Sequence, residues 1–365
     1  MSKLSSIFGV YASRLQIVID TSLGRFDPFW YTQYFDMGTT QNTLTFESVI
    51  GRQRIEAAAS IVNRESSSPV RSRQGVEKVT GELPAIKEKM RMSETNYRDF
   101  LMMQNMTNID NDTRLQQLMD FLFGDVRIVG NSAHKRLDIM ALEAVSTGKI
   151  SLTTTNNPDG LIYDQSVDLL MPDSNRVNAT TTWATAASAK PLDDIETIVV
   201  TNRRIGRRFA KMLMTYELFY KMKATAQVKD TMNTFYYGPK AAGASPQAVT
   251  TLERINEYLT SQSFPIIELV DEAIGIEKDG VITTYNAFNV NNVSFVPAGK
   301  LGTIKNAWAI EQIQKVEKVS YGTFNKALIS KWQENDPFSE WTNVELNAMP
   351  SLDAIDGIVI LTAVL

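Results

Sequence analysis

Residues Thr113–Gly148, TRLQQLMDFLFGDVRIVGNSAHKRLDIMALEAVSTG, decide how the chain is read. Their larger apolar side chains fall at Leu115, Leu118, Met119, Leu122, Val126, Val129, Ala133, Leu137, Met140, Ala141, Ala144 and Val145, in steps of three and four. That spacing draws one apolar stripe along one helix. Asn111 or Asp112 supplies a short polar side chain to cap its start, and Gly148 supplies the left-handed residue that ends it. At 1.5 Å per residue the rod runs on the order of 50 Å, far beyond an ordinary globular helix. Gly124 and Gly130 lie inside it as candidate bends.

Around this rod the chain reads as strand-rich or mixed, so the class is α+β. With 365 residues it can bury a sizeable core divided over two or three lobes. An apolar fraction of 43% and a charged fraction of 21% are globular values. The absence of cysteine removes disulfides, thiolate catalysis and thiolate metal sites. A net charge of −4, from 37 basic and 41 acidic residues, gives no general attraction to nucleic acid. No secretory signal opens the sequence, since serines and Arg14 interrupt its first apolar run, and no run of apolar residues is long enough to span a bilayer. The chain is therefore expected to be soluble and intracellular when made, with no membrane partner.

Residues 1–44 are dense in aromatics, among them Phe29 and Trp30, and have little core of their own, so they either pack on another lobe or a neighbouring subunit or form an ordinary first strand and helix of the domain. From Thr43 to Ser93, TLTFESVIG and PAIKEKMRM alternate as strands. Between them lies a polar, turn-rich stretch with Arg52, Arg54, Arg64, Arg71 and Arg73 and the breaker run Ser66–Pro69. This reads as an extended hairpin, and two-stranded ribbons are marginal alone. Glu94–Asp110 is expected to hold a short helix, and KISLTTTN with GLIYDQSVDLLMP a strand pair turning at Asn157–Gly160.

Beyond Pro191 the chain enters a helix or strand ending at Val199 and Val200. Thr201–Lys223 then reads as one amphipathic helix, with Arg203, Arg204, Arg207, Arg208 and Lys211 opposite Phe209, Leu213, Leu218, Phe219 and Met222. A solvated face or inter-subunit salt bridges account for these cations better than a phosphate site does. Residues 247–262 form a further helix, Lys278-Asp279-Gly280 a hairpin turn, and WTNVELNAMPSL and GIVILTAVL closing strands.

No catalytic constellation emerges. His134 is the sole histidine and reads as a flank or boundary residue of the rod. Asp193, Asp194 and Glu196 read as a helix start or solvated turn, and Asp271 with Glu272 as an exposed pair. Gly299-Lys300 lacks the remainder of a phosphate-binding loop. No metal or cofactor is expected.

The order of parts resembles the HK97-type fold of tailed-phage major capsid proteins, and more narrowly the lambda-like major capsid protein E family. The passages that carry the resemblance are RFDPF at Arg25–Phe29, LPAIKEKMRMS, LEAVSTGKISL, VDLLMP followed by Trp183 and KPLDDI, VSFVPAGKLG, and DPFSEWTNVELNAMPSL. Their force lies in order and spacing over nearly the whole chain. The resemblance implies an N-terminal arm at 1–44, an extended loop at 45–95, and a peripheral domain at 96–194 containing the spine helix 113–148. It further implies an axial domain at 195–292 and a return to the peripheral sheet at 293–365. The implied protein is a non-enzymatic major capsid protein of the virion, made in the host bacterial cytoplasm. It assembles with itself into pentamers and hexamers around double-stranded DNA held without sequence specificity. Its other implied partners are a separate scaffold and a portal, with room for a decoration protein. Arg52, Arg54, Arg64, Arg71, Arg73, Phe29 and Trp30 become candidate inter-subunit contacts. An encapsulin-type compartment shell is the alternative within the fold, and an unassigned enzyme the alternative outside it.

Overall fold

A computed structural model of the chain describes residues 15, 16, 19, 29–49, 78–105, 111–158, 160, 165–238 and 249–364. In chain order its first elements are α1 (Tyr31–Tyr34), β1 (Phe35–Gln41), β2 (Thr45–Val49), β3 (Lys78–Glu82), β4 (Ala85–Ser93), α2 (Glu94–Asn105) and the long helix α3 (Asn111–Thr147). There follow β5 (Lys149–Leu152), β6 (Gln165–Asp168), β7 (Arg176–Asn178), α4 (Pro191–Arg204), β8 (Lys211–Met214), α5 (Tyr216–Ala224), α6 (Ala226–Tyr237) and α7 (Leu252–Ser261). The last are β9 (Ile266–Leu269), β10 (Ala273–Lys278), β11 (Val281–Asn286), β12 (Asn292–Val296), β13 (Gly302–Ala307), α8 (Ile310–Ile313), β14 (Ser320–Phe324), β15 (Ala327–Asn335), β16 (Phe338–Ser351) and β17 (Val359–Thr362).

The expected rod is present as α3, 37 residues without interruption through Gly124 and Gly130. It ends where the sequence places its stop: Gly148 has φ +69° and its N–H bonds to the Ala144 carbonyl at 2.9 Å. Of the apolar stripe, every residue from Val126 to Val145 is buried. From Leu137 to Ser146 all sides of the helix are covered, so the stripe widens into an encircled rod end.

The chain divides into two compact units. The first comprises residues 1–46, 81–138 and 304–350 and is built on a six-stranded sheet. Its strands run β1-β13-β16-β15-β14, with β4 also paired to β16. Register sets Ile329 opposite Val344 and Trp332 opposite Trp341, while Ile86 meets Leu346 and Arg91 meets Trp341. LPAIKEKMRMS thus does not close the hairpin as expected. The two-stranded ribbon is rooted in β2 and β3, and β4 spends its backbone donors on β16. The ribbon tip, with Arg52, Arg54, Arg64, Arg71 and Arg73, lies outside the described residues, as do Leu161 and Tyr163 of the expected strand GLIYDQSVDLLMP.

The second unit comprises residues 47–80, 139–303 and 351–365. A five-stranded sheet, β7-β17-β12-β8-β9, is mixed: β17 pairs β7 and β8 pairs β9 in parallel, while β12 is antiparallel to both β17 and β8. Its core joins Trp183, Ile195, Met212, Leu218, Phe219, Met222, Val228, Ile255, Phe295 and Leu361. Beside it stand the hairpins β5-β6 and β10-β11, the latter turning at Asp279-Gly280 as expected.

The single helix expected at Thr201–Lys223 is corrected. Helix α4 already starts at Pro191 and ends at Arg204. There Gly206, at φ +80°, donates to the Arg203 carbonyl and Arg207 to that of Asn202, at 3.1 and 3.0 Å. That pair of bonds is a Schellman stop, which a residue with a Cβ resists. Lys211–Met214 then forms an inner strand with Met212, Leu213 and Met214 all buried. A strand covered on both faces loses the period of two, so its apolar run imitates a helix face. Thr215 accepts a hydrogen bond from the Leu218 N–H at 3.3 Å and starts α5.

Candidate assembly site

The shell role that the resemblance implies would need rigid elements holding contact surfaces in place, so the candidate site is a set of anchored surfaces. In the first unit the anchor is where the N-terminal segment meets α3. The Asp138 carboxylate accepts the Tyr31 N–H at 2.8 Å and so serves the start of α1. One turn earlier, His134 Nδ1 lies 2.9 Å from the Tyr31 hydroxyl and Nε2 lies 3.4 Å from the Phe324 carbonyl. The neutral tautomer with hydrogen on Nε2 satisfies both: Nε2–H donates to Phe324, and Tyr31 O–H donates to Nδ1. Phe29 stacks on the imidazole at a centroid distance of 4.9 Å, and Phe324 meets it edge-on at 5.1 Å.

His134 is therefore no flank residue. It is fully buried, and burial pushes its pKa down to about 4, against a smaller upward pull from the Phe324 carbonyl. The same burial, helped by the Asp138 charge, raises the Tyr31 hydroxyl. The sequence reading missed this because the residues that cover His134 lie about 100 positions before it and 190 after it.

Phe29 and Trp30 are both buried by their own chain, where Trp30 packs on Tyr34 at 5.0 Å. Within the described residues the pair builds the first unit's core. The Gln16 side chain exchanges two hydrogen bonds with the backbone of Thr323, at 3.0 and 2.8 Å, and so covers part of the β14 edge.

The inner face of the six-stranded sheet carries a buried ion pair, Lys331 Nζ to Glu340 Oε1 at 2.7 Å, and Gln333 donates to the other Glu340 oxygen at 3.2 Å. Burial holds the Asp125 carboxyl of α3 above its usual range; Lys331 opposes this and Glu340 adds to it. On the opposite face Trp332 and Trp341 stack at 6.4 Å, with Lys89 4.6 Å above Trp341.

In the second unit, Glu143 of α3 accepts hydrogen bonds from Ser151 N–H, the Asn156 amide and the Tyr285 hydroxyl, at 3.0, 2.9 and 2.9 Å. One carboxylate thereby ties the hairpins β5-β6 and β10-β11 to the end of the rod. Asp194 stands in the first turn of α4, at the helix start, but neither caps it nor faces solvent: it is buried and accepts from Trp183 Nε1 at 3.0 Å and Thr180 N–H at 3.2 Å. Asp271 sits near the Tyr216 N–H on the surface.

The cations expected on one helix are dispersed. Arg203 bonds the Ser263 carbonyl, Arg207 donates to Asn175 at 2.8 Å, and Lys211 pairs with Glu268 at 2.6 Å. Among the described residues no group of three His, Asp or Glu is placed to hold a metal ion, and no helix is long and apolar enough to cross a membrane. A cavity of about 310 Å³, lined by Thr147, Arg176, Asn289, Asn291 and Asn292 together with Ile360, Thr362 and Val364, mixes polar and apolar surface and includes no carboxylate, thiol or imidazole. Such a lining offers no general base for a nucleophile.

No curated protein matches the sequence significantly. Among solved structures, a protein described as the capsid protein of a prophage of E. coli CFT073 is similar at 15% identity and a TM-score of 0.54, over 97% of this chain and 96% of that one. A phage-related protein from Bordetella bronchiseptica RB50 is similar at 8% identity and a TM-score of 0.51, over 95% and 96%. At such identities the likeness speaks for the fold, which is the HK97-type α+β capsid fold. The profile of phage major capsid protein E matches residues 21–363. The rod, the ribbon root, the two sheets and a match over nearly the full length lead to one conclusion: the chain belongs to the phage major capsid protein E family, as a structural protein of the capsid shell.

Proposed function

We propose that copies of this chain assemble as pentamers and hexamers into an icosahedral head. The head encloses double-stranded DNA held without sequence specificity, and neither catalysis nor a cofactor takes part. The match to the capsid family over residues 21–363 carries this reading. In the proposed division, residues 1–44 are an N-terminal arm, 45–95 an extended loop whose closing strand β4 stays in the six-stranded sheet, 96–194 and 293–365 the peripheral domain, and 195–292 the axial domain around the capsomer centre. The loop, with Arg52, Arg54, Arg64, Arg71 and Arg73, lies across a neighbouring copy. What supports this is its composition: a long two-stranded ribbon with few apolar residues gains order by being covered. A heterologous contact repeated about a rotation axis closes into rings. Assembly takes place in the host bacterial cytoplasm with a separate scaffold and a portal.

Electron microscopy of the purified protein tests the reading. Closed shells are expected, and a chain that stays monomeric at high concentration, with and without scaffold, would contradict it. Deleting Arg64–Gly75 is expected to leave a folded, soluble subunit that forms no shells. Normal shells from that deletion would remove the role given to the ribbon.

A further inference from the structure

Between β13 and β14 the first unit holds four large apolar side chains away from its core. Trp308 is 41% exposed, Ile310 64%, Ile313 65% and Val316 57%. Ile310 and Ile313 stand three residues apart on the single turn of α8 and so share one side. This turn is not a loose loop. The Trp308 N–H bonds to the Gln41 carbonyl at 3.1 Å, and its own carbonyl accepts from Asn347 at 3.4 Å. Gln312 reaches back to the Ala309 N–H at 3.1 Å, Ala309 is buried, and the Val316 N–H meets the Tyr321 hydroxyl at 3.2 Å. The backbone is fixed at both ends of the patch while its largest side chains face outward, so little ordering cost remains for whatever covers them.

We infer that the surface formed by Trp308, Ile310, Ile313 and Val316 docks against a second copy of this chain in the shell. The inference rests on the shell reading above. Two features select that occupant. First, four side chains of this size, left about half uncovered, present on the order of 400 Å² of apolar surface, a patch of the size that marks a protein contact. That is about half of the roughly 800 Å² that a stable interface takes from each partner, leaving a polar rim to supply the rest. Second, the adjoining charges are mixed: Glu311, Lys315, Glu317 and Lys318 alternate in sign. Such a rim does not attract a polyanion or an anionic lipid surface, but it complements a chain of near-balanced charge such as this one, with 37 basic and 41 acidic residues.

The chain contains no cysteine, so a single introduced thiol is a clean reporter. Ile313→Cys is labelled with a maleimide in the full chain, before assembly and in assembled shells. The expected result is labelling at least tenfold slower in shells than in free subunits. Equal rates overturn the inference. Protection that instead appears on free subunits with anionic vesicles, and not on assembly, overturns it in favour of a lipid partner. In a second arm, Ile310→Asp with Ile313→Asp is expected to raise the threshold concentration for shell formation at least tenfold while the urea midpoint of the free subunit stays unchanged. An unchanged threshold also overturns the docking surface. A chain without substitutions that never forms shells overturns the shell reading itself, which separates the two failures.

Discussion

His134 makes the first unit's attachment to its N-terminal segment sensitive to acid, with a sign and size that follow from its surroundings. In the unfolded chain the imidazole titrates near 6.5, whereas in the folded chain burial lowers it to about 4. A group whose folded pKa is depressed gives stability that is whole above the unfolded pKa and is lost as pH falls towards the folded one. Between pH 7.5 and pH 5 the unfolded chain takes up the proton and the folded chain does not. Linkage sets this loss at about 2 kcal/mol at pH 5, approaching about 3 kcal/mol at pH 4. Carboxylates titrate over the lower part of the same window, so the measurement is a difference between two chains. His134→Gln keeps a polar side chain beside Tyr31 but carries no proton in this range. It is expected to be less stable at pH 7.5, from the lost stacking with Phe29 and Phe324. Between pH 7.5 and pH 5 its urea unfolding free energy should fall by about 2 kcal/mol less than that of the parent chain. Equal losses in the two chains would refute the claim that the imidazole is held neutral in the folded subunit.

Two further substitutions follow from buried features. Lys331→Met alone leaves Glu340 charged and unpaired beneath the sheet and is expected to cost about 3 to 5 kcal/mol, whereas Lys331→Met with Glu340→Leu should recover most of it, as read by thermal melting. Gly206→Val forces a branched side chain into the left-handed turn after α4 and is expected to cost about 1 to 2 kcal/mol or more, while Arg204→Ala two residues earlier should change the melting temperature little.

The parts of the fold that could be read in the sequence are those specified locally. A three-four apolar period with a glycine stop gave α3, and Asp279-Gly280 between alternating strands gave the β10-β11 hairpin. Strand β8 was misread because its three buried residues Met212, Leu213 and Met214 are covered on both faces and carry no period of two. The stop at Gly206 and the cap at Thr215, which divide that region correctly, were both present in the sequence. Aromatic density identified Phe29 and Trp30 as buried without saying by what, and their cover is α3 and their own segment. The buried positions of His134, Asp194 and Glu340 could not be foreseen, since each depends on partners that only the folded topology brings near.

Strand β16 has a consequence for how the protein is made. It is hydrogen-bonded to β4, β13 and β15, and β17 lies between β7 and β12 in the other sheet. Neither sheet can be completed until Phe338–Thr362 has been synthesised and has left the ribosome. A product that terminates before Phe338 lacks an inner strand in both units. Only chains translated through Thr362 can complete both sheets, so products truncated before it are kept out of the shell without a separate inspection step.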